Sequence, residues 1–352
     1  MSTNPESGLQ LSKELPSEIL CVGEAMIMLG ADEGSLSESP IARMHVAGAE
    51  SNVASGLAHL GQNVEWFGRV GNDPFGTRIR KFLNSRGVDT RNVITDPKHN
   101  TGLYFKEWAG GQSDVYYYRA GSAAAHMTAS DFTGLDVEAR RLCHVSGITP
   151  ALSPQCDKAI GELLLNSERG EAFISFDVNY RSLLWPREVA APRILELARG
   201  ADILIVGRDE AESLWGTATA EDVRSQFPET SIVVVKDADI GATSFIGPKS
   251  YFVPALSVEV VEPIGAGDAF AAGFLSAWLD GSDPVTCLRL GHVMAAYVLG
   301  SVGDTPQLPS RDELIARSAV SSPDWISTHL ARPNHPYLGD SATAATIEGT
   351  SL

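Results

Sequence analysis

The sequence has little that could hold a metal or a disulfide framework. Its four cysteines, Cys21, Cys143, Cys156 and Cys287, stand far apart, with no CxxC pair and no Cys/His cluster, so they read as reduced core thiols. Positive charge is also scarce: 27 Lys and Arg face 44 Asp and Glu, a formal charge of −17. That balance opposes any sequence-independent hold on a phosphate backbone and sets nucleic acid aside as a partner. No apolar run approaches the length of a membrane span, and the leader MSTNPESGLQLSKELPS is polar, without an apolar h-region. The expectation is a cytoplasmic protein with no membrane partner. A phosphorylated or carboxylated small molecule would have to be held by a few placed Arg or Lys and by backbone N–H groups, because the overall field does not help.

What is present is enough for a large core: 352 residues with 43% apolar content. Beyond the leader, 1–18, the run Ile19, Leu20, Cys21, Val22 reads as a buried strand meeting Gly23. Apolar and small residues then recur at helical spacing over 52–60 and stop at Gly61; 64–71 reads as a strand and 75–85 as a helix. The β-branched runs at 172–177, 203–206 and 232–236, separated by helical stretches, predict a Rossmann-like parallel sheet covered on both faces. Two segments, about 36–46 and 101–119, break that rhythm with mixed aromatic and polar residues and suit a small β excursion placed as a lid. The domain so outlined covers 19–330. Residues 331–352, rich in Pro, Gly, Ser, Thr and Ala, read as an extension outside the fold.

Three constellations carry chemistry. The first predicts a strand over 258–261, a glycine turn through Gly265, Ala266 and Gly267, and a helix opening at Asp268. Several N–H groups and the positive end of a helix then converge on one point, which binds an anion. Asp268 at its mouth is either the acceptor of a proton from an attacking hydroxyl or a plain helix cap. A dinucleotide fingerprint is disfavoured, because Phe270 stands where the third glycine belongs, and no GxxxxGK[ST] occurs. The second constellation, Ala47-Gly48-Ala49-Glu50-Ser51-Asn52, lets a polyol approach the backbone beside the Asn52 amide, or is simply a capped turn. The third pairs Arg119, after Tyr116-Tyr117-Tyr118, with Arg181, after Asp177-Val178-Asn179-Tyr180. Two convergent guanidiniums could grip a carboxylate, each at about 1.5–3 kcal/mol; alone, each reads as a solvated or ion-paired surface residue.

Taken together these residues resemble the ribokinase-like (PfkB) family of carbohydrate kinases. Gly48, Asn52, Gly61 and Gly71 match its N-terminal signature and Gly265-Ala266-Gly267-Asp268 its C-terminal one, over about 19–318. Within the family the chain resembles the 2-dehydro-3-deoxygluconokinase branch. Gly23-Glu24-Ala25-Met26, the stretch Tyr117 to Ala124, and Asp177 to Arg181 with Trp185 carry this, supported by the run from His144 to Leu152 and by Gly303-Asp304 ahead of Leu308-Pro309. Where ribokinases and fructokinases place an aspartate late in the first strand, this chain has Met28.

The resemblance implies an α/β, doubly wound, mainly parallel sheet with a small β-sheet lid. It implies an ATP-dependent kinase that phosphorylates the terminal hydroxyl of an acidic keto sugar, 2-dehydro-3-deoxy-D-gluconate, with Mg2+ and with a monovalent cation left open. By the same resemblance Gly265, Ala266 and Gly267 form the anion hole and Asp268 is the base. Gly48, Asn52, Tyr104, Tyr117, Arg119 and Arg181 hold the sugar acid, Lys236, Gly241, Gly265, Gly267 and His292 the nucleotide, and Glu210 organises Mg2+ through water. Two copies would join through their lids, with Trp108 on the contact face. The departures are Gly207 for an Asn that often precedes the Glu210 position, Ala238 for a common glycine, His292 for a frequent Asn, and Pro263 and Ile264 for Thr residues. Other readings stay open: 5-dehydro-2-deoxygluconokinase, fructokinase or ribokinase activity, or a non-catalytic sugar-binding or regulatory protein on the same scaffold, against which the retained Asp268 argues.

Overall fold

Strands buried on both faces must be apolar at every position, and the runs ILIVG at Ile203–Gly207 and IVVVKD at Ile232–Asp237 become interior strands for that reason. A computed structural model describes residues 17–31, 35–109, 112–165, 170–301 and 308–330. The leader through residue 16, the segment 331–352, Gly303-Asp304 and the side chain of Trp108 lie outside the described residues.

The core is an eight-stranded sheet in the order Lys249–Pro254, Gly241–Ile246, Ile232–Asp237, Ile203–Gly207, Phe173–Asp177, Leu142–Ser146, Ile19–Val22, Val64–Phe67. It is parallel from Ile232–Asp237 to Val64–Phe67, and the Gly241–Ile246 and Lys249–Pro254 hairpin adds an antiparallel edge. Successive side chains point to opposite faces, so Ile19 and Cys21 join the core under the helices Ala49–His59, Ala266–Leu279 and Pro284–Leu299. Leu20 and Val22 join the core under Pro154–Leu165 and Arg187–Arg199. All four cysteines are buried thiols. No helix among the described residues is long and apolar enough to cross a membrane.

The lid is a four-stranded sheet in the order Ala42–Ala47, Met26–Ala31, Leu103–Ala109, Gln112–Tyr118. Its second strand lies outside the expected lid segments: only three residues separate Met26–Ala31 from Val22, and Met28 therefore belongs to the lid rather than to the first core strand. Two further expectations are corrected. The strand expected over 64–71 is two, because the chain parts at Gly68 and Arg69–Gly71 pairs with Ile94–Asp96 instead of the core. The strand expected over 258–261 shrinks to Ser257–Val258, paired with His329–Leu330. Beyond it the backbone N–H groups of Val261 and Glu262 both donate to the carbonyl of Leu299, so a helix end takes the bonds that a sheet neighbour would have taken.

Two contacts deliver the helix starts to one place. The Glu50 carboxyl, fully buried, accepts from Ser146 N at 3.1 Å, Ser146 Oγ at 2.7 Å and Thr149 Oγ1 at 3.0 Å, tying helix Ala49–His59 to the end of strand Leu142–Ser146. Burial pushes its pKa above the ordinary carboxylate range. One turn on, Gly56 faces Ala272 so closely that a Cβ at Gly56 would stand 2.6 Å from the alanine methyl. The two helices approach at that point, and Asn52 is carried up to the first turn of Ala266–Leu279. Gly56→Ala is accordingly expected to destabilise the protein by about 1–3 kcal/mol, as overpacking does. Denaturant unfolding measures it, and an unchanged midpoint would show that the helices can part without cost.

Candidate active site

The carboxyl ends of the core strands and the inner face of the lid enclose a cavity of about 1180 Å³. Every residue that sequence reasoning singled out for the site lies on its wall: Gly48, Asn52, Tyr104, Tyr117, Arg119, Arg181, Glu210, Lys236, Gly241, Gly265, Ala266, Gly267, Asp268 and His292. Ligands of doubly wound sheets collect at this end, where loops leave the strands.

At the centre stands Asp268. Gly265, with φ of 82°, a left-handed conformation that costs glycine nothing, occupies the N-cap of helix Ala266–Leu279 and makes no side-chain capping bond. Asp268 sits in the first turn, and its carboxylate accepts from Asn52 Nδ2 at 2.9 Å and from Asn179 Nδ2 at 3.4 Å. Both amides come from elements distant in the chain. Asn179 was not singled out from the sequence as a site residue. It stands two positions beyond strand Phe173–Asp177 with φ of 39°, a backbone conformation that asparagine tolerates better than most side-chain-bearing residues.

Beside the nest a cation is set among acids. Lys236 Nζ lies 3.0 and 3.3 Å from the two carboxylate oxygens of Asp177. Burial works against its charge, but Asp177, Glu210 and Asp268 outweigh it and hold the ammonium above its ordinary pKa. Glu210 accepts from the backbone N–H of Gly207 at 2.8 Å and of Tyr180 at 3.0 Å. Burial pushes its carboxyl above the ordinary range while Lys236 pulls the other way. Gly207, the departure from Asn, opens helix Arg208–Trp215 as its N-cap.

At the lid end Arg119 is buried and ion-paired with Glu24, which also accepts from Ser122 Oγ at 2.8 Å; the guanidinium lies 5.4 Å from the ring centre of Tyr117. Sequence reasoning missed Glu24 as a partner. A guanidinium this buried needs a counter-charge, and one far along the chain leaves no local mark. Arg181 differs: its side chain is 48% exposed, donates to its own residue neighbour Tyr180 O at 3.0 Å and lies 3.7 Å from Glu210.

Toward the other end the wall turns apolar, with Leu256, Val258, Ala295 and Leu299 around His292. The imidazole is buried, lies 3.1 Å from the Val253 carbonyl through Nε2 and meets Phe270 edge-on, so it is both packed in its helix and part of the wall. Burial pushes its pKa down to about 4, and it is neutral at neutral pH. Ala238 keeps the left-handed turn, φ of 43°, that the commoner glycine would make, at a cost of roughly 1–2 kcal/mol.

Comparison with known proteins gives the family. The family model described as pfkB family carbohydrate kinase matches residues 16–311. The 2-dehydro-3-deoxygluconokinase of Thermoproteus tenax is 35% identical over 303 residues, 84% of this chain and 92% of that protein. That of Bacillus subtilis (strain 168) is 36% identical over 299 residues, 83% of this chain and 92% of that protein. Among solved structures, an uncharacterized sugar kinase from Pyrococcus horikoshii in complex with ATP superposes with a TM-score of 0.75 at 26% identity, covering 85% of this chain and 99% of that one. The matched span includes both glycine signatures and the lid between them, and the chain belongs to the pfkB family of carbohydrate kinases, ATP-binding phosphotransferases that act on a sugar hydroxyl.

Proposed function

We propose that the protein phosphorylates an acidic keto sugar, 2-dehydro-3-deoxy-D-gluconate, on its terminal hydroxyl. The observation that carries this reading is the Asp268 carboxylate, held by Asn52 and Asn179 at the mouth of the Gly265–Gly267 nest, in one cavity with Arg119 and Arg181. The identities of 35% and 36% to two 2-dehydro-3-deoxygluconokinases support the substrate.

In this mechanism Arg181 and the Tyr117-stacked Arg119 take the substrate carboxylate, and Gly48 and Tyr104 line the sugar chain. The backbone N–H groups of the nest receive the phosphates of ATP at the helix start. His292 and the apolar wall face the base, and Gly241 and Lys236 border the nucleotide side. Asp268 accepts the proton of the terminal hydroxyl as that oxygen bonds to the γ-phosphorus and the bond to the β-phosphate oxygen breaks, releasing ADP. Lid closure excludes water from this exchange. Mg2+ fits the donor set: Glu210 supplies a carboxylate at the phosphate side, and hard Mg2+ takes one or two carboxylates with phosphates and water rather than a closed protein cage. Among the described residues no group of three His, Cys, Asp or Glu forms such a cage. When bound, the ion neutralises phosphate charge. The reading also joins two copies through their lids, supported by the apolar row Met44, Leu29, Phe105 and Tyr116, aligned in register on the lid face turned from the cavity.

One observation favours a second reading, a neutral ketose: Glu24 already cancels the charge of Arg119. A coupled assay of ADP formation over acidic and neutral sugars decides. The acidic keto sugar is expected to exceed neutral ketoses in kcat/KM by at least about tenfold, one charge-assisted bond. Arg181→Lys should lower kcat/KM for the acid roughly tenfold and leave the neutral sugars within about twofold, since the planar fork is lost. Preference for a neutral ketose would remove the carboxylate assignment. Asp268→Asn is expected to lower kcat by about 10²–10⁴-fold while ADP still binds; turnover that survives it would make the base assignment wrong.

A further inference from the structure

The ammonium of Lys236 has a placement that nucleotide contact alone does not explain. Lys236 is the penultimate residue of strand Ile232–Asp237 and reaches over the neighbouring strand Ile203–Gly207 to Asp177, which ends the strand beyond. Asp177 is 2% exposed, whereas the Lys236 side chain keeps 20% and lines the cavity, so the ammonium is anchored from below and open on the cavity side. It also presses against the nest: a Cβ on Gly267 would stand 3.3 Å from Nζ. Glycine at 267 leaves room for the ammonium beside the first turn of Ala266–Leu279. The other two strong cations on the described wall, Arg119 paired with Glu24 and Arg181 beside Tyr180 and Glu210, are the ones assigned above to the substrate carboxylate.

We propose that Lys236 is a catalytic residue whose ammonium contacts the phosphoryl group in transfer, with Asp177 as the positioning residue that holds it. This rests on the kinase reading above and deepens it. An ammonium carries three donors, and Asp177 engages it from one side, which leaves donor capacity toward the cavity. In the loose transition state of phosphoryl transfer, charge collects on the three equatorial oxygens, and a fixed cation aimed at them stabilises that state more than the ground state. The sugar oxygen bonds to phosphorus, the bond to ADP breaks with its electron pair leaving on ADP, the hydroxyl proton passes to Asp268, and Lys236 keeps its protons throughout. A mere counter-charge for Asp177 and Glu210 would have no preference for the transition state.

Lys236→Met separates the two roles. We expect kcat to fall by at least about 100-fold while the Kd of ADP stays within about threefold. Affinity for ADP with aluminium fluoride and sugar, a mimic of the transferring group, should fall by a factor close to that in kcat/KM. Lys236→Gln is the second variant if the methionine does not fold. Unchanged kcat, or a loss of ADP affinity as large as the loss of kcat, would overturn the proposal. Wild-type turnover confined to a neutral ketose overturns only the substrate class, and the same comparison is then made with that sugar.

Discussion

In the proposed mechanism a carboxylate that must accept a proton stands next to a phosphate that repels it, and the site is organised around that conflict. Asp268 is steadied by two neutral amides, from Asn52 and Asn179, which orient its oxygens without cancelling their charge. The opposing positive potential comes from groups aimed elsewhere: the backbone N–H groups at a helix start, whose partial charges are fixed by the fold, and the Lys236 ammonium, held against Asp177. In a chain with a formal charge of −17, attraction for phosphate is thus local and directional.

This arrangement needs the start of helix Ala266–Leu279 to meet residues from two other elements. Gly56 against Ala272 sets one approach, and Gly273 against the Leu290 carbonyl, 2.5 Å from where a Cβ would lie, sets the other. The helix is clamped between Ala49–His59 and Pro284–Leu299, and its first turn has little freedom. The buried Glu50 carboxyl joins the N-terminal helix to the sheet end that carries Ser146. Core packing and catalytic geometry are consequently one problem: a methyl group added a turn away from Asn52 moves the partner of the base.

What could be read from the sequence divides along lines of range. Strands such as Ile203–Gly207 were legible because burial on both faces demands an unbroken β-branched run, and the anion nest because its glycines and Asp268 are neighbours in the chain. Met26–Ala31 was not, since only Gly23, Glu24 and Ala25 separate it from Ile19–Val22 and both runs are apolar. The Val-rich run over 258–261 imitates a strand, yet among the described residues the N–H groups of Val261 and Glu262 turn to the Leu299 carbonyl. Glu24 with Arg119, Asp177 with Lys236 and Asn179 with Asp268 are pairs closed by the fold, and periodicity carries no trace of them.

Those pairs share a logic. Each end of the cavity has a cation tied to a carboxylate buried behind it, Arg119 to Glu24 under the lid and Lys236 to Asp177 beside the nest. An unpaired cation in either place would bear a desolvation cost and would also bind any anion tightly, products included. Pairing lowers the raw attraction and, in exchange, fixes the side chain, so that a ligand meets donors already oriented and loses less entropy in ordering them. Discrimination between ground and transition state then depends on where charge moves during the reaction rather than on how much charge arrives. A kinase whose nucleotide and phosphorylated product are anions gains from that separation, because under the proposed mechanism the groups that hasten transfer are not the ones that would retain the phosphorylated sugar.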